Sequence, residues 1–171
     1  MTYFSGFCLE GEEELFSDWL VESDYAVAGF SYGAIRALEY TLESRCRVER
    51  LLLFSPAFFQ TRNERYRALQ LRAFEKDPEA YVAKFLEHCA SPASRDLSRY
   101  RSDGNVEELR ELLSYRWEAE KLRRIRERGT VIEVFIGGRD RIIDAEGAIG
   151  LFAAEVDALY RIRGAGHILE K

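Results

Sequence analysis

The chain has 171 residues, 47% hydrophobic and 32% charged, with a net charge of −5, which suits one folded domain and argues against disorder. No apolar run approaches the length of a membrane span, and the acidic start (Glu10, Glu12, Glu13, Glu14) has the wrong charge for a secretory signal. Cys8, Cys46 and Cys89 form no C-x-x-C pair, which excludes a zinc site and a disulfide frame; the reading is of reduced thiols in a cytoplasmic protein.

The opening Thr2-Tyr3-Phe4 is short and β-prone, and Ser5-Gly6-Phe7 makes a turn after it. Apolar residues Leu15, Phe16, Trp19 and Leu20 recur at helical spacing, which predicts a helix over 12–22. Ser23-Asp24 breaks it, and Tyr25–Phe30 is the next strand. That strand runs into Gly29-Phe30-Ser31-Tyr32-Gly33, a G-x-S-x-G pattern, and a helix to about Ser44 follows. Strand, tight turn carrying a serine, then helix is the order of parts in a nucleophile elbow. Small residues two before and two after the serine permit the strained turn. The helix behind it aims free N–H groups at the place where an oxyanion would develop.

Val48–Phe54 holds Leu51-Leu52-Leu53-Phe54, an apolar run of the kind found in buried parallel strands. Between Phe59 and Gly129 there is no strand signal. Helices are expected over 64–76, from Pro78 to Cys89 behind the cap Asp77, and from the capping pair Asn105 and Glu108 through Leu109, Leu112, Leu113 and Trp117 to Ile125. The segment from Gln60 to Arg128 carries 16 Lys+Arg, of which 13 are Arg, against 13 Asp+Glu, whereas the rest of the chain is acidic. A basic middle on an acidic body suits an anionic partner, or simply solvated helix faces. Strand character returns at 130–136, a helix follows Asp144 to about Glu155, and 158–162 is a last strand before Gly164-Ala165-Gly166-His167. The alternation gives an α/β protein with about five mainly parallel strands.

Ser31, Asp140 and His167 each follow a predicted strand, so in a parallel sheet they reach one edge. Ser31 needs a base, His167 can supply it, and Asp140 can hold the imidazole in the right tautomer and stabilise its cation. The only other histidine, His88, reads as a surface or packing residue within a helix. Asp144 is a second acid, already explained as a helix cap. The Tyr32 N–H and an N–H from the Ser5–Cys8 loop, that of Phe7, are the oxyanion donors expected. No metal or organic cofactor is called for, and nucleic-acid recognition has no module here.

The elbow, Gly138-Arg139-Asp140-Arg141-Ile142-Ile143 and Gly166-His167 resemble the α/β-hydrolase superfamily. More narrowly, Tyr3-Phe4-Ser5-Gly6-Phe7 and Gly29-Phe30-Ser31-Tyr32-Gly33-Ala34-Ile35 resemble the BioV-type pimeloyl-acyl-carrier-protein methyl ester esterases of biotin synthesis. The resemblance implies one truncated α/β-hydrolase domain over 1–171 with a helical cap insertion at about 60–128. It also implies a serine carboxylesterase that frees the distal carboxylate of a carrier-bound pimeloyl chain. Acyl-carrier protein would be the partner, met by cap arginines among Arg62, Arg65, Arg95, Arg99, Arg101, Arg123 and Arg124. Phe58, Phe59, Leu112, Leu113 and Trp117 could line an acyl channel or belong to the core.

The chain departs from the superfamily pattern in having one strand and one helix before Ser31, Ser5-Gly6 where His-Gly is usual, and no full helix after His167. One sheet face should then be covered by irregular segments or by a second copy. The triad alone leaves a broad carboxylesterase or an acyl thioesterase open, and a non-catalytic acyl-carrier-binding module is a further alternative.

Overall fold

The apolar runs before Ser31 and before Ser55 bury nearly every side chain on both faces, as central parallel strands do. The computed structural model describes every residue from Met1 to Lys171. It has five strands: β1 (Thr2–Phe4), β2 (Ala26–Phe30), β3 (Arg50–Phe54), β4 (Val131–Gly137) and β5 (Ala158–Ile162). All pairs are parallel and the sheet order follows the chain, β1-β2-β3-β4-β5. Six α-helices connect or flank them: α1 (Tyr32–Glu43), α2 (Glu64–Lys76), α3 (Pro78–Ala90), α4 (Val106–Ser114), α5 (Ala119–Glu127) and α6 (Ala145–Phe152). No helix is long and apolar enough to cross a membrane.

The predicted helix over 12–22 is not formed. Only a 3-10 turn, Glu12–Phe16, is present, and irregular chain continues to β2. Its spacing still served a packing purpose. Phe30, Phe54, Phe135 and Tyr160 stand in register across four strands and so share one face of the sheet. Phe16 stacks on Phe54 with ring centroids 4.6 Å apart, and Trp19 packs on Phe54 and Phe135. Two aromatic anchors thus cover this face with irregular chain. Gly29 points the opposite way, into the first turn of α1. The β1-to-β2 and β2-to-β3 connections therefore cross on opposite faces while stepping in the same direction. They have opposite hands, so the strong right-handed preference of such crossovers holds for at most one of them.

The expected helix from Asn105 to Ile125 is two helices. The capping box at Asn105 and Glu108 starts α4 as the sequence implies, but α4 ends at Ser114 and α5 begins at Ala119. Trp117 occupies the break. Its indole N–H donates to the Ala57 carbonyl at 2.9 Å, its backbone N–H to the Gln60 side chain at 2.7 Å, and its ring meets Phe152 edge-on. These tertiary contacts outweigh helix propensity. α6 ends at Phe152, one turn short of the expected Glu155.

Candidate active site

Five loops leave the C-terminal edge of the sheet side by side, and each brings one piece of the site. After β2 the chain turns at Ser31 with φ 54° and ψ −111°, a sparsely populated conformation for a residue with a Cβ. Two close approaches hold it there. A Cβ on Gly33 would lie 1.9 Å from the Phe4 carbonyl oxygen, and one on Gly29 would lie 2.2 Å from that of Gly33. Only glycine lets the first turn of α1 sit against the ends of β1 and β2. The Ser31 N–H donates to the Phe54 carbonyl at 2.9 Å, and its own carbonyl accepts from Ala57 at 3.1 Å. The serine is fixed by backbone on both sides.

Asp140 follows β4. Its Oδ1 accepts from the N–H groups of Ile142 (2.8 Å) and Ile143 (3.2 Å), leaving Oδ2 free to accept from His167 Nδ1 at 2.7 Å. His167 follows β5, and its Nε2 lies 2.9 Å from Ser31 Oγ. Ser31, His167 and Asp140 are thus one hydrogen-bonded chain. The His167 side chain and the Asp140 carboxylate are both fully buried, and Ser31 is only 4% exposed. Asp144 is not part of this chain. It caps α6 through the Gly147 N–H and accepts from the Thr61 hydroxyl, which together hold its carboxyl below the usual aspartate value.

Ser55, which the sequence reading did not single out, follows β3 on the same edge. Its φ is 42°, and its hydroxyl donates to the His167 carbonyl at 2.6 Å. With the Phe30 ring 4.9 Å from the imidazole, it fixes where the histidine stands. Its place directly after a central strand was the one signal available. Glu12 was also missed. It is fully buried, and its Oε1 accepts from the Gly6 N–H at 2.7 Å and from the Tyr3 hydroxyl at 3.2 Å. Burial pushes its carboxyl up, and Oε2 has no partner. This contact buttresses the loop that carries Phe7. The Phe7 N–H has no backbone acceptor, and Tyr32, as the first residue of α1, has the unpaired N–H of any helix start.

The helical segment lies over this edge. Gly166 sits so close to the Ser91 carbonyl that a Cβ would come within 1.8 Å of it. Ser102 donates to the Cys8 carbonyl at 3.0 Å, and the Tyr32 hydroxyl donates to Glu111 of α4 at 2.7 Å. A cavity of about 360 Å³ opens between this segment and the sheet edge. Phe59, Leu112 and Leu113 line it, as the acyl-channel reading expected, but Phe58 and Trp117 do not: both pack against Phe152 in the core. Phe7 and Ile142 also line it, although Ser31, Tyr32 and His167 do not. The cavity therefore abuts the site without exposing the serine.

Among the arginines singled out, Arg95, Arg99, Arg101 and Arg123 are paired with Glu170, Glu14, Glu79 and Glu155. Arg62 stacks on Tyr66, while Arg65 and Arg124 are exposed. The expected carrier-binding group is thus mostly occupied within the chain.

No protein-family model matches this sequence, and none of the curated proteins matches it. Solved structures do. An esterase from Exiguobacterium antarcticum superposes with a TM-score of 0.68 at 14% identity, covering 98% of this chain and 85% of that one. The naproxen esterase (carboxylesterase NP) of Bacillus subtilis gives 0.58 at 17% identity, covering 98% and 76%. A bromoperoxidase from Bacillus anthracis gives 0.68 at 13%, covering 84% and 60%. Another matched Bacillus subtilis hydrolase is longer still, this chain spanning 54% of it. At these identities the likeness establishes the fold: five parallel strands with flanking helices, arranged as in α/β-hydrolases.

Proposed function

We propose that the chain is a serine carboxylesterase acting on the methyl ester of a pimeloyl chain borne by acyl-carrier protein. The observation that carries the chemistry is the Ser31–His167–Asp140 relay on a strained elbow, with distances of 2.9 and 2.7 Å. His167 Nε2 takes the Ser31 proton as Oγ attacks the ester carbonyl. The resulting oxyanion sits at the Tyr32 and Phe7 N–H groups. Asp140 stabilises the imidazolium, which gives its proton to the departing methoxide, so methanol leaves and an acyl-serine remains. Water, deprotonated by the same imidazole, attacks that acyl group, and the proton returns to Oγ as the free carboxylate departs.

The choice of ester rests on the likeness to the pimeloyl methyl ester esterases, on the apolar cavity beside the site, and on the exposed Arg65 and Arg124 as contacts for an acidic carrier. Because Ser31 is nearly sealed, substrate access requires the helical segment to part from the Ser91–Gly166 and Ser102–Cys8 contacts.

The test is mass spectrometry of the methyl ester of pimeloyl-carrier protein after incubation with wild-type protein and with Ser31→Ala. Loss of the ester methyl alone, reduced about 10⁴-fold or more in Ser31→Ala, is the expected result. Release of the whole acyl chain would make the protein a thioesterase, and no change in either sample would remove the substrate assignment.

A further inference from the structure

The cavity beside the site has an unusual distribution of charge. Its walls are apolar, formed by Phe7, Phe85, Leu109, Leu112, Leu113 and Ile142, yet every ionic side chain that lines it is basic or imidazole: Lys84, His88 and Arg141. No carboxylate lines it. Lys84 and His88 are one turn apart on α3 and therefore share a helix face. Arg141 comes from the loop after β4, directly following Asp140.

All three are exposed, which puts them at the solvent end of the cavity, and neither Lys84 nor Arg141 makes an ion pair within the chain. That sets them apart from two of the cap arginines. Arg101 is tied to Glu79, and Arg123 to Glu155. On a chain with net charge −5, two unpaired cations at the mouth of one apolar cavity select for charge.

We infer that this cavity is an anion-reading acyl site: it takes an ester whose remote end carries a negative group, either a carboxylate at the chain end or the phosphate beyond a thioester-linked pantetheine arm, held by Lys84, Arg141 and His88. The proposal rests on the esterase reading above and names its substrate class more narrowly. The anion is a carboxylate or a phosphate, both of which the guanidinium and ammonium groups bind through charge-assisted hydrogen bonds. The volume of about 360 Å³ falls at the low end of small-molecule sites, where a short chain fits and a large lipid does not. Phe7 joins the two places, since its side chain lines the cavity and its N–H is the proposed oxyanion donor.

The experiment compares hydrolysis of monomethyl pimelate, which carries a distal carboxylate, with that of neutral dimethyl pimelate. The same comparison is made for methyl pimeloyl-pantetheine with and without its phosphate. The proteins are wild type, Lys84→Gln, Arg141→Gln, the double variant, and Arg72→Gln as an exposed charge change outside the cavity. Wild type should favour the anionic member of at least one pair, and the pair that shows it identifies carboxylate or phosphate. Each single variant should lower that preference about tenfold, through KM, and the double variant more; Arg72→Gln should leave it unaltered. Calorimetry of the same compounds on Ser31→Ala protein reads the preference without turnover. Binding preference without hydrolysis in wild type would sink the esterase reading and keep this site. Hydrolysis with no anionic preference in either pair, or a preference untouched by the double variant, would overturn the site.

Discussion

Around Ser31 the backbone itself is the constraint, whereas the helical segment between β3 and β4 is fastened mainly by side chains, its main-chain contacts being those of Ser91 with Gly166, Tyr100 with Glu10 and Ser102 with Cys8. The elbow has a positive φ at Ser31, carbonyls packed against Gly29 and Gly33, and hydrogen bonds from main chain to main chain. The helical segment is held by the Trp117 anchor, by Tyr32 on Glu111, by a cluster of Tyr115, Glu39 and Lys121, and by ion pairs at its rim. The Arg128 guanidinium adds three bonds, to the Thr41 and Leu42 carbonyls in the last turn of α1 and to that of Ser44 just after it. A backbone-built site tolerates almost no substitution but holds its geometry. A side-chain-built cover can release one contact at a time, which suits the opening over buried Ser31 that the proposed esterase activity requires.

Substitutions at four positions probe that contrast. Gly33→Ala should have the largest effect. Its Cβ would meet main-chain oxygens of both Phe4 and Ser5, which cannot yield as a side chain would, so a loss above about 4 kcal/mol in urea unfolding is expected. A near-neutral result would mean that the elbow is not held by backbone contact. Trp117→Ala should cost about 3–4 kcal/mol, because it empties a buried site and orphans the Ala57 carbonyl. If instead only α4 and α5 lose hydrogen-exchange protection, the helical segment is a separate cooperative unit.

Glu12→Ala should cost about 1–3 kcal/mol by leaving the Gly6 N–H without its acceptor. Glu12→Gln keeps an acceptor oxygen and should cost less. Their pH dependence follows from burial raising the folded carboxyl. Above about pH 4.3 the unfolded chain releases a proton that folded Glu12 still holds, so stability falls as pH rises through that window and levels off above the folded value. Glu12→Gln should remove this slope from melting curves taken across pH 4 to 8. Arg123→Ala should have the smallest effect, with little or no change in melting temperature, since the Arg123 side chain is half exposed and water replaces it at the mostly covered Glu155 carboxylate. A clear drop would show that rim ion pairs carry more of the cover than its aromatic anchor does.

The α/β class, the boundaries of β5 and α2, the caps at Asp77, Asn105 and Asp144, and the convergence of Ser31, Asp140 and His167 on one sheet edge were legible in the residues. These depend on local chemistry: an apolar run, a capping oxygen, a glycine where a Cβ has no room, and the rule that parallel strands present their C-terminal ends together. What spacing could not reveal is which partner a side chain finds across the fold. Leu15, Phe16 and Trp19 recur as a helix would have them, yet Phe16 and Trp19 lie on an aromatic row assembled from strands far apart in the chain. Trp117 reads as one more helical residue until Ala57 and Gln60 pull it into a break. Arg101 and Arg123 look as free as Lys84 in the sequence, but only packing pairs them with Glu79 and Glu155 while leaving Lys84 and Arg141 unpaired at the cavity mouth. Local propensity and steric exclusion are written residue by residue, so the sequence determined the elbow and the alternation of strands and helices along the chain. Pairing energies depend on distances between remote segments, so only the tertiary structure decided which charges and aromatics were already taken.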